Sequence, residues 1–393
     1  MEECSYRDTW AEISLDHIAY NLQQFRQYIN PKTKIMAVVK ADGYGHGAEK
    51  VAKTAIETGA DYLAVAFLDE AIKLRKVGIS SPILILGYTP VRSIREAILQ
   101  NMTITVFDHK VLDEIIVQSS QLQKRTVIHI KVDTGMSRIG LSSADQTLSL
   151  ARKGLAAPYI QLEGIFTHFA NSDSEDPSYT YAQFHKFIEI TSFLEKEGIH
   201  IPFRHCCNSA ATLRFPEMHL DMVRVGIALY GLNPDASLKK HSIHLKQAMS
   251  FHTRIVAIKN VPSSQPVGYG CTWRLNRGDS IIATLSIGYA DGLSRLLSNR
   301  GNVLLHGKRA PIRGRVCMDQ TMIEITEIPN AKTGDMVTIF GENDTAFQSV
   351  DTIAELMGTI HYETVCLIGK RVPRVYLKEQ KKCFARYFES ATN

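Results

Sequence analysis

Eight short apolar runs, rich in β-branched residues and separated by segments of helical period, constrain this chain more than any other feature. They are IMAVVK (35–40), YLAVAF (62–67), ILILG (83–87), TITVF (103–107), VIHIKVD (127–133), LEGIFTHF (162–169), FRHCCN (203–208) and MVRVGIALYG (222–231). Such alternation is the mark of βα units, and eight parallel strands predict a closed, TIM-like βα barrel, an α/β fold. Between the first two runs, Ala48, Val51, Ala52, Ala55 and Ile56 form an apolar helical stripe, with Gly59 placed to end it. Phe184, Phe187, Ile188 and Leu194 form a similar stripe before Gly198. After Gly231 the pattern changes to a polar crossover, NPDASLKKHSIHLKQAMS, which puts a boundary near 235–248. FHTRIVAIK, SIIATLSIG, NVLLHG, TMIEIT and DMVTIFG then follow with Gly, Pro and Asp turns between them, so the second domain is expected to be mostly β. WAEISL (10–15) reads as a strand ahead of the barrel that could pair with that domain. The expected organisation is an N-terminal strand in 1–15, a barrel in 16–240 and a β domain in 241–393.

Composition excludes several classes. Forty-five Lys and Arg against forty Asp and Glu leave a charge of +5, but the basic residues are scattered, which gives nucleic-acid binding no support. The seven cysteines form no CxxC pair and no metal-ligand spacing, and read as reduced thiols. The first twenty residues lack the apolar core of a signal peptide, and no stretch approaches ~18 uninterrupted apolar residues. A cytoplasmic protein without a membrane span, and without a metal centre, is expected.

In a barrel of this kind the chemistry sits at the C-terminal ends of the strands. Those positions are polar here: Lys40, then Lys131 and Asp133, His168, Asn208 and Ser209, and Arg224 within the last run. One polar residue at a strand end is ordinarily a cap or surface group; their convergence on one mouth is harder to explain that way. A lysine directly after a buried apolar strand is the informative case, because burial lowers the ammonium pKa and frees the amine as a nucleophile or base. Schiff-base chemistry follows naturally. Tyr44, in the glycine-rich ADGYGHG, can direct a hydroxyl toward an anion, and the loops carrying Asn208-Ser209 and Gly226-Ile227 lie where such barrels bind phosphate, with main-chain N–H groups expected to be free.

The segment AVVKADGYGHG resembles the cofactor-attachment motif of alanine racemases, and the resemblance covers nearly the whole chain. KVDTGMSRIG, EGIFTHFA, NSAAT, RVGIALYG, VGYG, IGYADG, GRVCMDQ and RVPR follow in that family's order. It implies a barrel and a β domain, pyridoxal 5'-phosphate as cofactor, alanine as substrate and a homodimer. Lys40 would hold the cofactor as an aldimine and act as one base. Tyr269, supplied by the second subunit, would be the other, since racemisation needs acid–base groups on both faces of Cα. Taken alone, Tyr269 reads as a tyrosine capping a turn between glycines. Arg224 would face the pyridine nitrogen and, unable to give up its proton, keep that nitrogen largely unprotonated and suppress transamination. His168 and His205 would lie behind this arginine and beside the ring, though either could equally be a satisfied core histidine. Tyr44, Asn208, Ser209, Gly226, Ile227 and Tyr362 would bind the cofactor. Arg138 would take the substrate carboxylate. Lys131, often carbamylated in the family, would brace Arg138, and Met318, with its neighbour Asp319, would reach the substrate across the dimer. The motif departs from the family at Ser137, where TGMSR stands for TGMGR.

The implied function is interconversion of L- and D-alanine for bacterial cell-wall peptide. A serine or broad-spectrum racemase shares the catalytic pair and differs in pocket volume; Tyr362 favours alanine. A decarboxylase of the same fold lacks a reason for Tyr269 and Arg224. A non-catalytic cofactor carrier has no use for a second domain, and a metal-dependent hydrolase would need more than His168, His205 and Asp133 as ligands.

Overall fold

The computed structural model describes residues 6–234, 243–275, 278–379 and 381–382. Residues 235–242, where the crossover was expected, and Cys4 and Cys383 lie outside them. The described residues form two compact units, one within 17–43 and 47–246 and the other within 6–16, 44–46 and 247–382.

The second unit's first strand, β1 (Thr9–Ser14), comes earliest in the chain. Every one of the eight apolar runs then supplies a strand. These are β2 (Lys34–Val38), β3 (Tyr62–Val65), β4 (Ile83–Ile85), β5 (Thr103–Val106), β6 (Thr126–Lys131), β7 (Ile160–Phe166), β8 (Phe203–His205) and β9 (Met222–Val225). All neighbours are parallel, in the order β8-β7-β6-β5-β4-β3-β2-β9. The seam between β8 and β9 is bridged by Asp221 N–H to the Arg204 carbonyl (3.2 Å) and Arg224 N–H to the Cys207 carbonyl (3.0 Å). The barrel is therefore nearly closed, which removes exposed strand edges.

The helices wrap this barrel for legible reasons. Ala48–Glu57 buries Val51, Ala52, Thr54 and Ala55 and stops ahead of Gly59, whose φ of 106° suits glycine. Asp108, Ser143 and Asn208 each accept a hydrogen bond from a first-turn N–H of the helix that follows. The stripe before Gly198 lies on the helix Ser178–Lys196, where Phe187, Ile190 and Leu194 are buried.

The second unit is mostly β, as expected. β10 (Met249–Pro262), β11 (Asp279–Leu285), β12 (Asn302–Leu305), β13 (Lys308–Pro311), β14 (Thr321–Glu324), β15 (Met336–Asn343), β16 (Ala346–Gln348) and β17 (Arg374–Lys378) join β1 in one sheet. β1 lies between β10, to which it is antiparallel, and β17, to which it is parallel. Two short helices, Val350–Met357 and His361–Cys366, complete the unit. Among the described residues no helix is long and apolar enough to cross a membrane.

Candidate active site

Strand β2 stops at Val38, two residues before the run was expected to end, and Lys40 opens a left-handed turn. Ala41 (φ 52°, ψ 49°), Asp42 (54°, 47°) and Gly43 (60°, 45°) are all left-handed. For L-residues this costs roughly 1–2 kcal/mol each, so the turn exists only because its surroundings hold it. Ala41 N–H donates to Glu70 Oε1 (2.6 Å), Gly43 N–H to the Val39 carbonyl (2.9 Å), and Ala48 N–H to Asp42 Oδ1 (3.0 Å). Glu70 also receives the N–H groups of Ala66 and Phe67 at the end of β3. Lys40 is thus carried on a fastened elbow, half-buried.

Arg224, on β9, is only 3% exposed. Its Nη1 donates to His205 Nδ1 and the His205 carbonyl, both at 3.0 Å; its Nη2 donates to the carbonyls of Thr167 (2.8 Å) and Cys206 (2.9 Å) and lies 3.3 Å from His168 Nδ1. The Nε–H has no acceptor among the described residues. Phe166 stacks on His205 with centroids 4.8 Å apart and carries the Lys131 ammonium at 5.3 Å and the Arg224 guanidinium at 5.4 Å. So many cations in a dry space displace one another's titration. Burial, then Arg138, Arg224 and Lys40, lower Lys131 to about 7 against the opposing pull of Asp133. Burial, followed by Arg224, Arg138, Lys131 and Lys40, pushes His168 well below the ordinary histidine value. Burial, Arg224 and His129 do the same to His205. Both imidazoles are neutral at physiological pH.

Arg138 stands exposed at the end of a loop that Asp133 organises. Oδ1 of Asp133 accepts from the N–H groups of Gly135 (2.9 Å) and Ser137 (3.1 Å). Burial alone would raise the Asp133 carboxyl, but these backbone donors outweigh it and lower the pKa. Ser137, the residue that departs from the family motif, adopts φ 56°.

At the seam, Asn208 and Ser209 serve structure as well as any ligand. Asn208 Oδ1 accepts from Ala211 N–H and Ser172 Oγ, both at 2.9 Å. Ser209 Oγ accepts from Gly226 N–H at 2.8 Å. The N–H of Gly226, expected to be free, is therefore engaged; those of Ser209 and Ile227, both buried, have no acceptor among the described residues.

The remaining expected residues belong to the second unit. Tyr44 and Tyr362 face each other with ring centroids 6.3 Å apart. Tyr269, between Gly268 (φ 72°) and Gly270 (φ 73°), is 71% exposed, and Met318 is 53% exposed. Asp319 pairs with Arg371 at 2.7 Å, and Arg371 continues at 2.7 Å to the fully buried Asp291, which Arg7 also reaches at 2.9 Å. The loop bearing Met318 is anchored by its carbonyl, which accepts from Ala290 N–H at 3.1 Å.

Sequence reasoning overlooked Glu70, Phe166, His129, Glu163 and Tyr62. The last three continue the contacts of His205 into the barrel: His205 Nε2 lies 3.0 Å from His129 Nδ1, His129 Nε2 lies 3.2 Å from Glu163 Oε2, and Tyr62 donates its hydroxyl proton to the same oxygen. A histidine and a glutamate inside otherwise apolar runs were the signal available.

A parallel eight-stranded barrel whose strand ends present a lysine, an arginine held by two neutral histidines and a second lysine of lowered pKa defines a βα-barrel enzyme. Residues 13–234 match the family model for the alanine racemase N-terminal domain and residues 248–376 that for the alanine racemase C-terminal domain. The chain is 53% identical over 379 residues to alanine racemase 1 of Oceanobacillus iheyensis, covering 96% of this chain and 100% of that one. It is 52% identical over 381 residues to alanine racemase 2 of the same organism, covering 97% and 96%. The crystal structure of alanine racemase from Bacillus anthracis with bound L-Ala-P superposes with a TM-score of 0.91 at 41% identity, covering 96% of this chain and 97% of that one. The chain belongs to the alanine racemase family, and is an isomerase.

Proposed function

We propose that the protein interconverts L- and D-alanine with pyridoxal 5'-phosphate, supplying D-alanine for cell-wall peptide. The observation that carries this reading is Arg224: a buried guanidinium with four of its N–H groups engaged and Nε–H left over matches a ring nitrogen that must receive a hydrogen bond yet no proton. The N–H groups of Ser209 and Ile227, which have no acceptor among the described residues, fit a phosphate. Bound there, the cofactor would supply the electron-withdrawing ring that makes the Cα proton of alanine removable.

The protein's own residues do the rest. Lys40, on its fastened elbow, attaches the cofactor and moves the Cα proton on one face. Tyr269 of a second copy moves it on the other, and the exposure of Tyr269 and Met318 in a single chain supports a homodimer in which both reach the partner's site. Arg138 binds the substrate carboxylate. Lys131, with a pKa lowered to about 7, keeps a substantial share of neutral amine at that pH, which suits it to carbamylation and then to bracing Arg138. The five described cysteines are free thiols, which suits the cytoplasm.

The test incubates the purified protein and pyridoxal 5'-phosphate with L-alanine and, separately, L-serine, and follows each D-enantiomer by chiral chromatography. Fast D-alanine with slow D-serine is expected. Comparable rates would make the protein a broad-spectrum racemase, and neither product would overturn the reading.

A further inference from the structure

Arg224 is buried, yet among the described residues no carboxylate pairs with it directly. What it has instead is a line of hydrogen bonds through the barrel: Arg224 to His205 (3.0 Å), His205 to His129 (3.0 Å), His129 to Glu163 (3.2 Å), with Tyr62 on the far side of that carboxylate. The strands that contribute are β9, β8, β6, β7 and β3. In the sheet order β3 is separated from β7 by β4, β5 and β6, so Tyr62 reaches Glu163 only through the barrel interior.

The direction of every bond in this line is fixed by its ends. A guanidinium can only donate and a carboxylate can only accept. His205 Nδ1 must therefore accept from Arg224, which leaves its proton on Nε2. His129 Nδ1 must accept that proton's hydrogen bond, which leaves its own proton on Nε2, aimed at Glu163. Both rings are fully buried, and burial lowers both histidines from their ordinary value, in keeping with two neutral imidazoles.

The backbone is shaped to make the line possible. Between Ile128↔Leu162 and His129↔Gly164 the β6–β7 register slips by one, so Glu163 is an extra residue on β7, a bulge of the kind that re-aims a side chain. The next residue has to be glycine. A Cβ at Gly164 would lie 2.5, 2.6 and 2.8 Å from Nδ1, Cε1 and Cγ of His129. No left-handed φ demands glycine here; the space for the imidazole does.

We infer that Glu163 and His129 are positioning residues for the racemisation, fixing His205 as the Nε2–H tautomer so that its Nδ1 holds Arg224 in place. This deepens the function proposed above and rests on it. Neither residue touches substrate or cofactor; both act through His205. With Glu163 replaced by leucine, the Nε2–H of His129 is left buried without that acceptor. Moving the His129 proton to Nδ1 would relieve that orphaned donor only by driving His205 to the Nδ1–H form, which gives up the acceptor for Arg224, so the line is pulled in opposite directions from its two ends.

The test labels the histidines of the purified holoenzyme with 15N and reads the proton-bearing nitrogen of His129 and His205 from two-bond 1H–15N correlations, assigned by single substitutions. Both rings of the parent protein are expected as neutral Nε2–H tautomers; finding His205 protonated on Nδ1 overturns the inference without any variant being made. Glu163→Leu and Gly164→Ala should each disturb that pattern and lower kcat about tenfold to a hundredfold while KM for alanine changes by less than about twofold. Glu163→Gln, which keeps an acceptor, should restore the tautomers and most of kcat. If Glu163→Leu keeps both tautomers and full kcat, or Glu163→Gln is as impaired as leucine, the positioning role is wrong. The tautomers are read independently of turnover, so a protein with the expected pattern that makes no D-alanine would overturn the proposed function and not the hydrogen-bond line.

Discussion

Arg224 grips His205 twice, Nη1 donating to the ring Nδ1 and to the backbone carbonyl of the same residue, both at 3.0 Å. A side chain held by ring and backbone of one partner cannot rotate away from it, and the guanidinium plane is set accordingly. Replacing this donor with an acid changes the chemistry the site favours. Arg224→Glu should raise keto-acid formation from L-alanine about tenfold while racemisation falls, because an acidic partner supports a protonated ring. A coupled assay for pyruvate beside chiral chromatography checks both halves.

Tyr269 is so exposed in one chain that its hydroxyl contributes little to folding. Tyr269→Phe should leave thermal stability within about 0.5 kcal/mol of the parent and cofactor absorbance unchanged. Formation of D-alanine from L-alanine should drop by about 10²-fold or more, the usual worth of a positioned acid–base group. Normal racemisation by this variant would remove Tyr269 from the mechanism.

Lys131 makes a prediction about stability and pH. Its folded value of about 7 lies below the ~10.4 of an unfolded lysine. Between those limits the unfolded chain binds the extra proton, so stability rises as pH is raised from about 7 toward 10, by up to ~1.4 kcal/mol per unit. Below pH 7 both states are protonated and the burial penalty is fully present. In carbonate-free buffer, urea melts of Lys131→Met should therefore show a variant more stable than the parent at pH 6, with the difference shrinking by pH 9.

Ser137 holds a left-handed φ of 56° with no side-chain compensation beyond its N–H bond to Asp133. Glycine adopts this conformation freely but gains chain entropy when unfolded. The balance favours Ser137→Gly by about 0.5–1 kcal/mol, measurable as a shifted urea midpoint at constant slope. Asp133 and Arg138 should keep their places, so KM for alanine should stay the same.

The barrel was legible because periodicity reports burial, and all eight strands fall within or beside the apolar runs that announced them. What the pattern could not convey was where a strand stops. The run ending in Lys40 reads as continuous strand, but Val38 is its last strand residue and the lysine sits on a left-handed turn secured by Glu70, a residue far along the chain. Glu163 was hidden for a related reason. Alternation along LEGIF assumes an even register, and the bulge at Glu163 breaks it. His129 looked like one polar residue among apolar ones, since its partners come from other strands. Resemblance to the family supplied Tyr269, whose exposed turn carries no signal of its own.

One arrangement bears on how such a chain comes to be made. β1 lies parallel to β17, Ala11 opposite Arg374, so β1 is synthesised long before this neighbour. At ~5–20 residues per second, a ribosome leaves β1 waiting on the order of tens of seconds for that partner. During this interval the barrel segment emerges complete, then β10 covers one edge of β1, and the other edge stays open until β17 follows. An open strand edge is a template for pairing with another chain, so this order of emergence exposes the nascent chain to mispairing in a way that the finished sheet, with β1 covered on both sides, does not.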